Sequence, residues 1–577
     1  MKITDFIAKT LKKNGVSSVF GLQGGAVVHI FDSLEKEGIN VIYNHHEESA
    51  ALAAAANSKV TGEIGCAVIT TGPGCTNALT GLLGAWQDSI PVIFISGQVR
   101  SSHLSYGKKV RQVGTQEANI LDIVKPITKG TFLIENKEKV VNVMNDAIQL
   151  ATSGRPGPVW IDIPLDFQWE NIEKVGKINK VKKIKNNPNI KNLDNFKKLY
   201  SNSKNPLFVL GYGLRLSRSE EKIKSILRKN NLKAVTTWTA ADIFETSDST
   251  NLGIIGMRGQ RGANLALFKS DLLICLGTHL SISQTTTLTD TFAPNSKKII
   301  VNIDKDQLNN LNIKFDLKIN ADLSDFLKIM ASLNLKKNTN SLTSDFEDLK
   351  SLNWYKPKQD TLPNPNLFFR KLTQKSPKSS AIIVDGGGTA LYCGFQSSFL
   401  KENQRIICSS AISAMGTGLA ETIGVNASNK FKKLYCIIGD GSFLMNIQDL
   451  QNIKSENIPV VICVINNNGY LAIRHTQKEF LEGRLYGTHP DWSLKMPDIE
   501  RLASGFKIDY LKLNHKSDVD FIVAKLNKSK GPIICEVVVE EDVMELFRQG
   551  YKANDDGTFT PLPLNIMQPY LKEVKFE

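Results

Sequence analysis

The 577-residue chain has no stretch that could span a bilayer. Its purely apolar runs are short, as in 459–465 (PVVICVI), against the ~20 residues a membrane helix needs. Nor does it open on a continuous apolar signal core. In MKITDFIAKTLKK the apolar residues Ile3, Phe6, Ile7 and Leu11 recur at helical spacing with lysines between, so a cytoplasmic location is expected. None of the eight cysteines pairs with another in CxxC spacing, and several lie inside apolar runs. That predicts buried free thiols, not a zinc site or a disulfide framework. No short-period repeat is present, which argues against a solenoid. Acidic residues are the scarcer charge, 57 against 71 basic, leaving +14 net. A basic excess can serve nucleic acid. Here part of it sits in one run, 174–185 (KVGKINKVKKIK), with no interleaved aromatic residue. The run reads as a solvated linker, and no nucleic-acid partner is expected. An apolar share of 41% and a charged share of 22% exclude a disordered, collagen-like or rod-forming chain.

What is present is a repeated pattern of short apolar run, glycine turn and helical stretch. Strand-like runs at 18–20, 41–43, 66–70, 92–96 and 158–163 are followed in several places by glycines, as at 21–25 and 72–74. The pattern returns at 206–210, 271–276 and 298–304, and again at 381–384, 434–439, 460–465 and 533–539. Strand, glycine turn and helix in succession predict parallel sheets covered on both faces. The expected fold class is α/β, with three doubly wound parallel-sheet domains at 1–170, 190–335 and 365–545. Residues 546–577 carry turn signals and are expected to form a surface tail.

One region carries specific chemistry. The apolar run 434–438 ends in Gly439-Asp440-Gly441-Ser442, and a helix is expected next, with Ile447, Leu450 and Ile453 on one face. A second apolar run, 460–465, leads directly into Asn466-Asn467-Asn468-Gly469. Asp440 and Asn467, 27 residues apart, would both emerge at carboxyl ends of parallel strands, the ligand-binding edge of such sheets. A carboxylate and an amide oxygen are hard ligands suited to Mg²⁺. The Gly441-Ser442 turn opens a helix and offers amides to a phosphate. The combination predicts a metal-bridged diphosphate site.

This stretch resembles the thiamine diphosphate motif of the acetolactate synthase and pyruvate decarboxylase superfamily. Segments 21–34, His46-Glu47, 71–77, 96–99 and Met415-Gly416 match it in type and order, so the resemblance covers nearly the whole chain. It implies that Asp440 and Asn467 bind Mg²⁺ through side chains and Gly469 through its carbonyl. Gly439, Gly441, Ser442, Gly388 and Thr389 would lie along the diphosphate. Met415 would hold the cofactor bent, and the Ser413 carbonyl would accept from its aminopyrimidine. Glu47 would hydrogen-bond the aminopyrimidine N1′, while Gln98 and Gln116 would line the active-site channel. A metal reading of His45-His46-Glu47 is disfavoured, because adjacent strand residues point to opposite faces. The three domains become pyrimidine-binding, central and diphosphate-binding. Active sites would form between subunits of a homodimer or homotetramer. In the synthases the central domain holds FAD; Gly211-Tyr212-Gly213 and Gly256-Met257-Arg258-Gly259 are dinucleotide-type turns. FAD and an empty or reused domain both stay open.

The sequence also departs from the synthases. Thr476 stands where they carry a tryptophan, and His279 and Ser283 stand where they carry arginines. Without those cations a second keto acid has no obvious bidentate partner, although Arg474 or Lys478 could replace the charge. Segments 111–114, 124–129 and 468–474 are similar to acetolactate synthase-like proteins found with bacterial surface-sugar biosynthesis. The expected function is a carboligase that decarboxylates a 2-keto acid, pyruvate first, and transfers the two-carbon unit to a carbonyl acceptor such as a keto-sugar nucleotide. The alternatives are acetolactate synthase proper, a 2-keto acid decarboxylase or oxidase with His475 as proton donor, and a regulatory homologue. The presence of Glu47, Asp440 and Asn467 argues against the last.

Overall fold

The computed structural model describes residues 1–173, 180, 190–333, 335, 342–555 and 558–571. The lysine run 174–185, Lys180 apart, lies outside the described residues. Three six-stranded parallel sheets follow one another along the chain, each flanked by helices. The first holds β1 (Ser18–Gly21), β2 (Asn40–Tyr43), β3 (Gly65–Ile69), β4 (Val92–Gln98), β5 (Thr131–Leu133) and β6 (Val159–Pro164) in the order 2-1-3-4-6-5. The third holds β13 (Ser380–Val384), β14 (Arg405–Ile407), β15 (Lys433–Gly439), β16 (Val460–Asn466), β17 (Asp509–Leu513) and β18 (Ile533–Val538). Its order, 14-13-15-16-18-17, repeats that of the first. The middle sheet holds β7 (Pro206–Leu210), β8 (Lys233–Thr236), β9 (Asn251–Ile254), β10 (Leu272–Leu276), β11 (Lys297–Asn302) and β12 (Leu317–Asn320), ordered 12-11-10-7-8-9. Counted within the domain this is the 3-2-1-4-5-6 order of dinucleotide-binding sheets.

The inner strands explain why the class was readable. β3, β4, β13 and β16 are buried over nearly their whole length. Helices on both faces leave no solvent side, so such strands read as continuous apolar runs. All eight cysteines are buried and free. No helix among the described residues is long and apolar enough to cross a membrane.

Two expectations need correction. One helix was expected after Asp440; there are two, Asp440–Met445 and Asp449–Ser455, with Asn446 leaving helical geometry between them (φ −130°, ψ 40°). The Asn446 side chain donates to the Gly416 carbonyl at 3.0 Å, so the break ties this turn to the segment preceding helix Thr417–Ala427. The described part of the tail does not simply trail over the surface. Leu546, Phe547, Leu564 and Met567 are buried, and Arg548–Gln549 pairs antiparallel with Met567–Gln568. Its strands are two or three residues long, too short to leave a periodic signal.

The first and third domains lock together through helices Glu47–Thr61 and Thr417–Ala427. Small residues let the two backbones touch: a Cβ on Gly424 would lie 2.1 Å from the Ala53 carbonyl oxygen. Asn57 donates to the Gly424 carbonyl at 3.1 Å. Behind this seam the Lys59 ammonium is buried between Asp88 (3.0 Å) and Glu421 (3.4 Å). Burial alone would lower its pKa, but the two carboxylates hold it above the ordinary lysine value, so it stays charged.

Candidate active site

The third sheet reverses its winding between β13 and β15, and ligands of open α/β sheets bind outside such a reversal. Asp440 stands there as the first residue of helix Asp440–Met445. It is buried, and its carboxylate accepts from the Gly441 amide at 2.7 Å and the Gly469 amide at 2.9 Å. Burial still pushes its pKa up to about 6, against the opposing pull of those amides and of Arg474. On the adjoining strand end, Asn467 donates its amide to Thr389 Oγ1 at 3.1 Å. That fixes the orientation of the amide and leaves Asn467 Oδ1 buried with no hydrogen-bond partner. After Asn467 the loop turns through positive φ at Asn468 (61°) and Gly469 (126°). A Cβ on Gly469 would meet the Thr488 carbonyl oxygen at 2.3 Å.

Gly386-Gly387-Gly388 follows β13 after one residue, Asp385. A Cβ on Gly387 would lie 2.5 Å from Ser442 Oγ and 3.7 Å from Met415 Cγ, and one on Gly386 would lie 2.3 Å from the Ala414 carbonyl oxygen. Asp385, buried beneath, accepts from the Gly387 amide at 2.9 Å and the Gly418 amide at 3.0 Å. It therefore ties the glycine turn to the segment carrying Ser413 and Met415. Ser413 has φ 48°, and Ser413 and Met415 are half-buried. Gly388 opens helix Gly388–Ser397 and touches Ala472. So Gly388, Thr389, Ser413, Met415, Gly439, Asp440, Gly441, Ser442, Asn467 and Gly469 form one cradle. Asp385 was missed, although strand, aspartate and glycine recur there as they do at Asp440. Outside the cradle lies an open depression of about 720 Å³ that includes His475, Lys478, Met544 and Arg548.

The first domain carries a second group. Glu47 begins helix Glu47–Thr61, capped by His46, whose Nδ1 accepts from the Glu48 amide. Glu47 is 5% exposed; Oε2 accepts from Asn77 Nδ2 at 3.0 Å and Oε1 lies 3.0 Å from where Gly74 would carry a Cβ. Gln98 is fully buried. Its oxygen accepts from Thr71 at 2.7 Å and its nitrogen donates to Asp162 at 3.1 Å and to the Ala118 carbonyl at 3.0 Å. It thus supports the turn at Thr71, whose hydroxyl also reaches the Gln116 carbonyl. Gln116 itself is exposed, with φ 60°. Glu48 and Ser49 face the third domain, Ser49 donating to Asp449 at 2.9 Å, whereas Glu47 turns into its own domain. Among the described residues no hydrogen bond joins the Glu47 group to the Asp440 cradle within one chain.

Comparison with known proteins decides the family. Residues 1–124 match the thiamine pyrophosphate enzyme N-terminal TPP binding domain, 193–330 its central domain and 386–537 its C-terminal TPP binding domain. The chain is 30% identical over 553 residues to the acetolactate synthase large subunit of Cyanidium caldarium, covering 92% of each. It is 28% identical over 544 residues to the acetolactate synthase isozyme 2 large subunit of Escherichia coli (strain K12), covering 94% of this chain and 96% of that one. The chain belongs to the thiamine pyrophosphate-dependent, acetolactate synthase-like enzymes. For such an enzyme the cradle is apt: the orphaned Asn467 oxygen and the buried Asp440 carboxylate form a donor set that a hard cation would satisfy, and the glycines leave room for an anion to approach backbone amides.

A cavity of about 1080 Å³ lies where the central domain meets the first and third, Lys59, Asp88, Arg155 and Arg405 among its lining. Tyr212-Gly213 after β7, Gly277 and His279 after β10, Asp304 and Asp322 line it. Ser283 lines it too, so His279 and Ser283 belong to this cavity. The turn at Gly256–Gly259 does not contribute to it. That turn is held against the tail, where the Gln549 amide donates to the Met257 carbonyl and Arg258 pairs with Glu545.

Proposed function

We propose that the protein is a thiamine diphosphate- and Mg²⁺-dependent carboligase. It decarboxylates pyruvate and passes the two-carbon unit to a carbonyl acceptor that carries no carboxylate, a keto-sugar nucleotide. Residues 1–170 take the pyrimidine end of the cofactor, 365–545 the diphosphate end, and 190–335 form the central domain. Asp440, Asn467 and the Gly469 carbonyl hold Mg²⁺. Gly388, Thr389, Gly439, Gly441 and Ser442 line the diphosphate, and Met415 and Ser413 shape the pocket above it. Glu47 holds or passes a proton at its Oε1 while Asn77 keeps Oε2 fixed. The bound cofactor supplies the carbanion chemistry; these residues bind, orient and exclude water. The lack of any hydrogen bond, among the described residues, between the Glu47 group and the cradle within one chain supports a working unit of at least a homodimer.

One observation carries the acceptor assignment: Arg474 and Lys478, two basic residues that could replace the lost arginines, are both occupied. Arg474 is 1% exposed and donates to backbone carbonyls, and Lys478 pairs with Asp542 at 2.6 Å. Thr476, exposed, adds no bulk at the tryptophan position. A keto acid acceptor would lack its charge-assisted partner, a contact worth ~1.5–3 kcal/mol, or roughly ten- to a hundredfold. The relatives' names favour the other reading, acetolactate formation from a second pyruvate. Competition decides between them. Pyruvate with either 2-ketobutyrate or a 4-keto-6-deoxy sugar nucleotide is followed by mass spectrometry. The sugar adduct is expected to dominate; acetohydroxy acid formed at synthase-like rates would return the protein to that activity.

The 3-2-1-4-5-6 strand order of the central domain favours FAD in the cavity, lying across the reversal between β10 and β7 with Asp304 and Asp322 at neighbouring strand ends. Visible flavin absorbance of the purified protein, and its release on denaturation, test this.

A further inference from the structure

We infer that Arg474 is a positioning residue that clamps the metal loop; this rests on the metal assignment proposed above. Arg474 is among the largest fully buried side chains of the protein. Its Nη1 donates to the Asn468 carbonyl at 3.0 Å, and its Nη2 to the Asn467 carbonyl at 2.6 Å and the Glu541 carbonyl at 2.9 Å. Its Nε is buried without a partner. Among the described residues no carboxylate stands within ion-pair distance of it. A buried cation with only carbonyl partners is costly, so a purely structural purpose explains it poorly.

The geometry supplies the purpose. Asn468 and Gly469 hold positive φ, a conformation that persists only where its surroundings over-determine it. The guanidinium fork spans the two consecutive carbonyls at the start of this turn. The Gly469 amide, bound to Asp440, pins its end. Together they fix the directions of Asn467 Oδ1 and the Gly469 carbonyl, which must converge on one small cation. Mg²⁺ demands near-ideal octahedral geometry, so a loop free to rotate would cost affinity. Arg474 also connects the loop to the helix that packs on Gly388 through Ala472. Metal and diphosphate subsites are thereby held at a fixed distance. The planar fork is the operative feature, and a lysine, a single point donor, cannot replace it.

The test uses full-length protein and its Mg²⁺ dependence. Thiamine diphosphate binding is measured by calorimetry across a Mg²⁺ series for wild type, Arg474→Met, Arg474→Lys and Asp440→Ala, with circular dichroism checking folding. Loss of an outer-shell partner typically weakens metal binding ~10–100-fold. Both Arg474 variants are expected to need at least ~10-fold more Mg²⁺ for half-maximal cofactor binding, with kcat largely recovered once Mg²⁺ saturates. If Arg474→Met does not fold, Arg474→Lys carries the test. An unchanged Mg²⁺ requirement, or full rescue by lysine, overturns the clamp while Asp440→Ala still abolishes Mg²⁺-dependent binding. Retention of that binding in Asp440→Ala overturns the metal assignment and the clamp with it.

Discussion

Glu47 is held on one side only: Asn77 fixes Oε2, and Oε1 faces the small Gly74. A glutamine there keeps the shape and the Asn77 contact through its oxygen but cannot exchange a proton. Glu47→Gln should bind thiamine diphosphate nearly as tightly as wild type and turn over ~10²–10⁴-fold more slowly, the usual size of a general acid–base contribution. Deuterium exchange at the cofactor C2 is the direct readout, and wild-type exchange in the variant would refute the role. Asp449 shows a different consequence of burial. Its pKa is pushed up to about 7, by burial first and then by the charge of Glu48, against the Ser49 hydrogen bond. The native state therefore prefers the neutral acid. At pH below the ordinary carboxylate range both states are neutral and nothing is lost. As pH rises from about 4 to 7 the unfolded chain ionises first and stability falls, reaching its full penalty above 7. Asp449→Asn should therefore gain melting temperature relative to wild type at pH 8 and little or nothing at pH 4; an equal gain at both would refute the titration. Asp440 and Asn467 were legible because their chemistry and their place at strand ends coincide. Arg474 was not. An arginine on an amphipathic helix reads as a surface cation, and its partners are backbone carbonyls, which carry no side-chain signature. Gln98 was placed in the channel by resemblance, but its amide is spent on Thr71, Ala118 and Asp162.

At the scale of elements, most inner strands were readable and most edges were not, β2 being an edge that was read and β8 an inner strand that was not. β5, β14 and β17 stand at or beside sheet edges, short or half-exposed and partly polar, as in Asp509–Leu513 (DYLKL). An edge strand packs on fewer neighbours, so its composition is freer. The helix break at Asn446 was invisible for a related reason: Ile447, Leu450 and Ile453 keep helical spacing, and only the tertiary bond to Gly416 marks the interruption. The helix seam between the first and third domains was equally hidden, since an alanine-rich stretch reads only as a good helix. Its tightest point yields a prediction. A methyl group on Gly424 would collide with the Ala53 carbonyl, and backbone on both sides leaves nothing flexible to yield. Overpacking of this kind costs about 1–3 kcal/mol or more. Gly424→Ala should lower the melting temperature by several degrees, and Asn57→Ala by less, because only one hydrogen bond goes. Scanning calorimetry checks both. A Gly424→Ala protein as stable as wild type would mean that the helices can slide apart freely.

At the scale of the whole molecule, no hydrogen bond among the described residues joins the Glu47 group to the Asp440 cradle within the single chain. The first and third sheets share one strand order and meet across the seam of helices Glu47–Thr61 and Thr417–Ala427. Yet Glu47 faces its own domain, against Asn77 and Gly74. In the homodimer proposed above the Glu47 group of each chain lies over the cradle of the other, and isologous pairing makes that exchange in twos. This makes complementation a sharp test. Glu47→Gln and Asp440→Ala homodimers should each be inactive. In a mixed dimer one site collects both defects, while the other receives wild-type Glu47 from one chain and wild-type Asp440 from its partner. Co-expression with two affinity tags isolates the mixed species. Its expected activity is about half that of wild type, or about a quarter for an unsorted mixture of randomly paired chains. Were the site built within one chain, every site in the mixed dimer would carry one defect and no activity would return. Restored turnover, measured as pyruvate decarboxylation with Mg²⁺ and thiamine diphosphate in excess, thus reports directly on which chain supplies which half of the site.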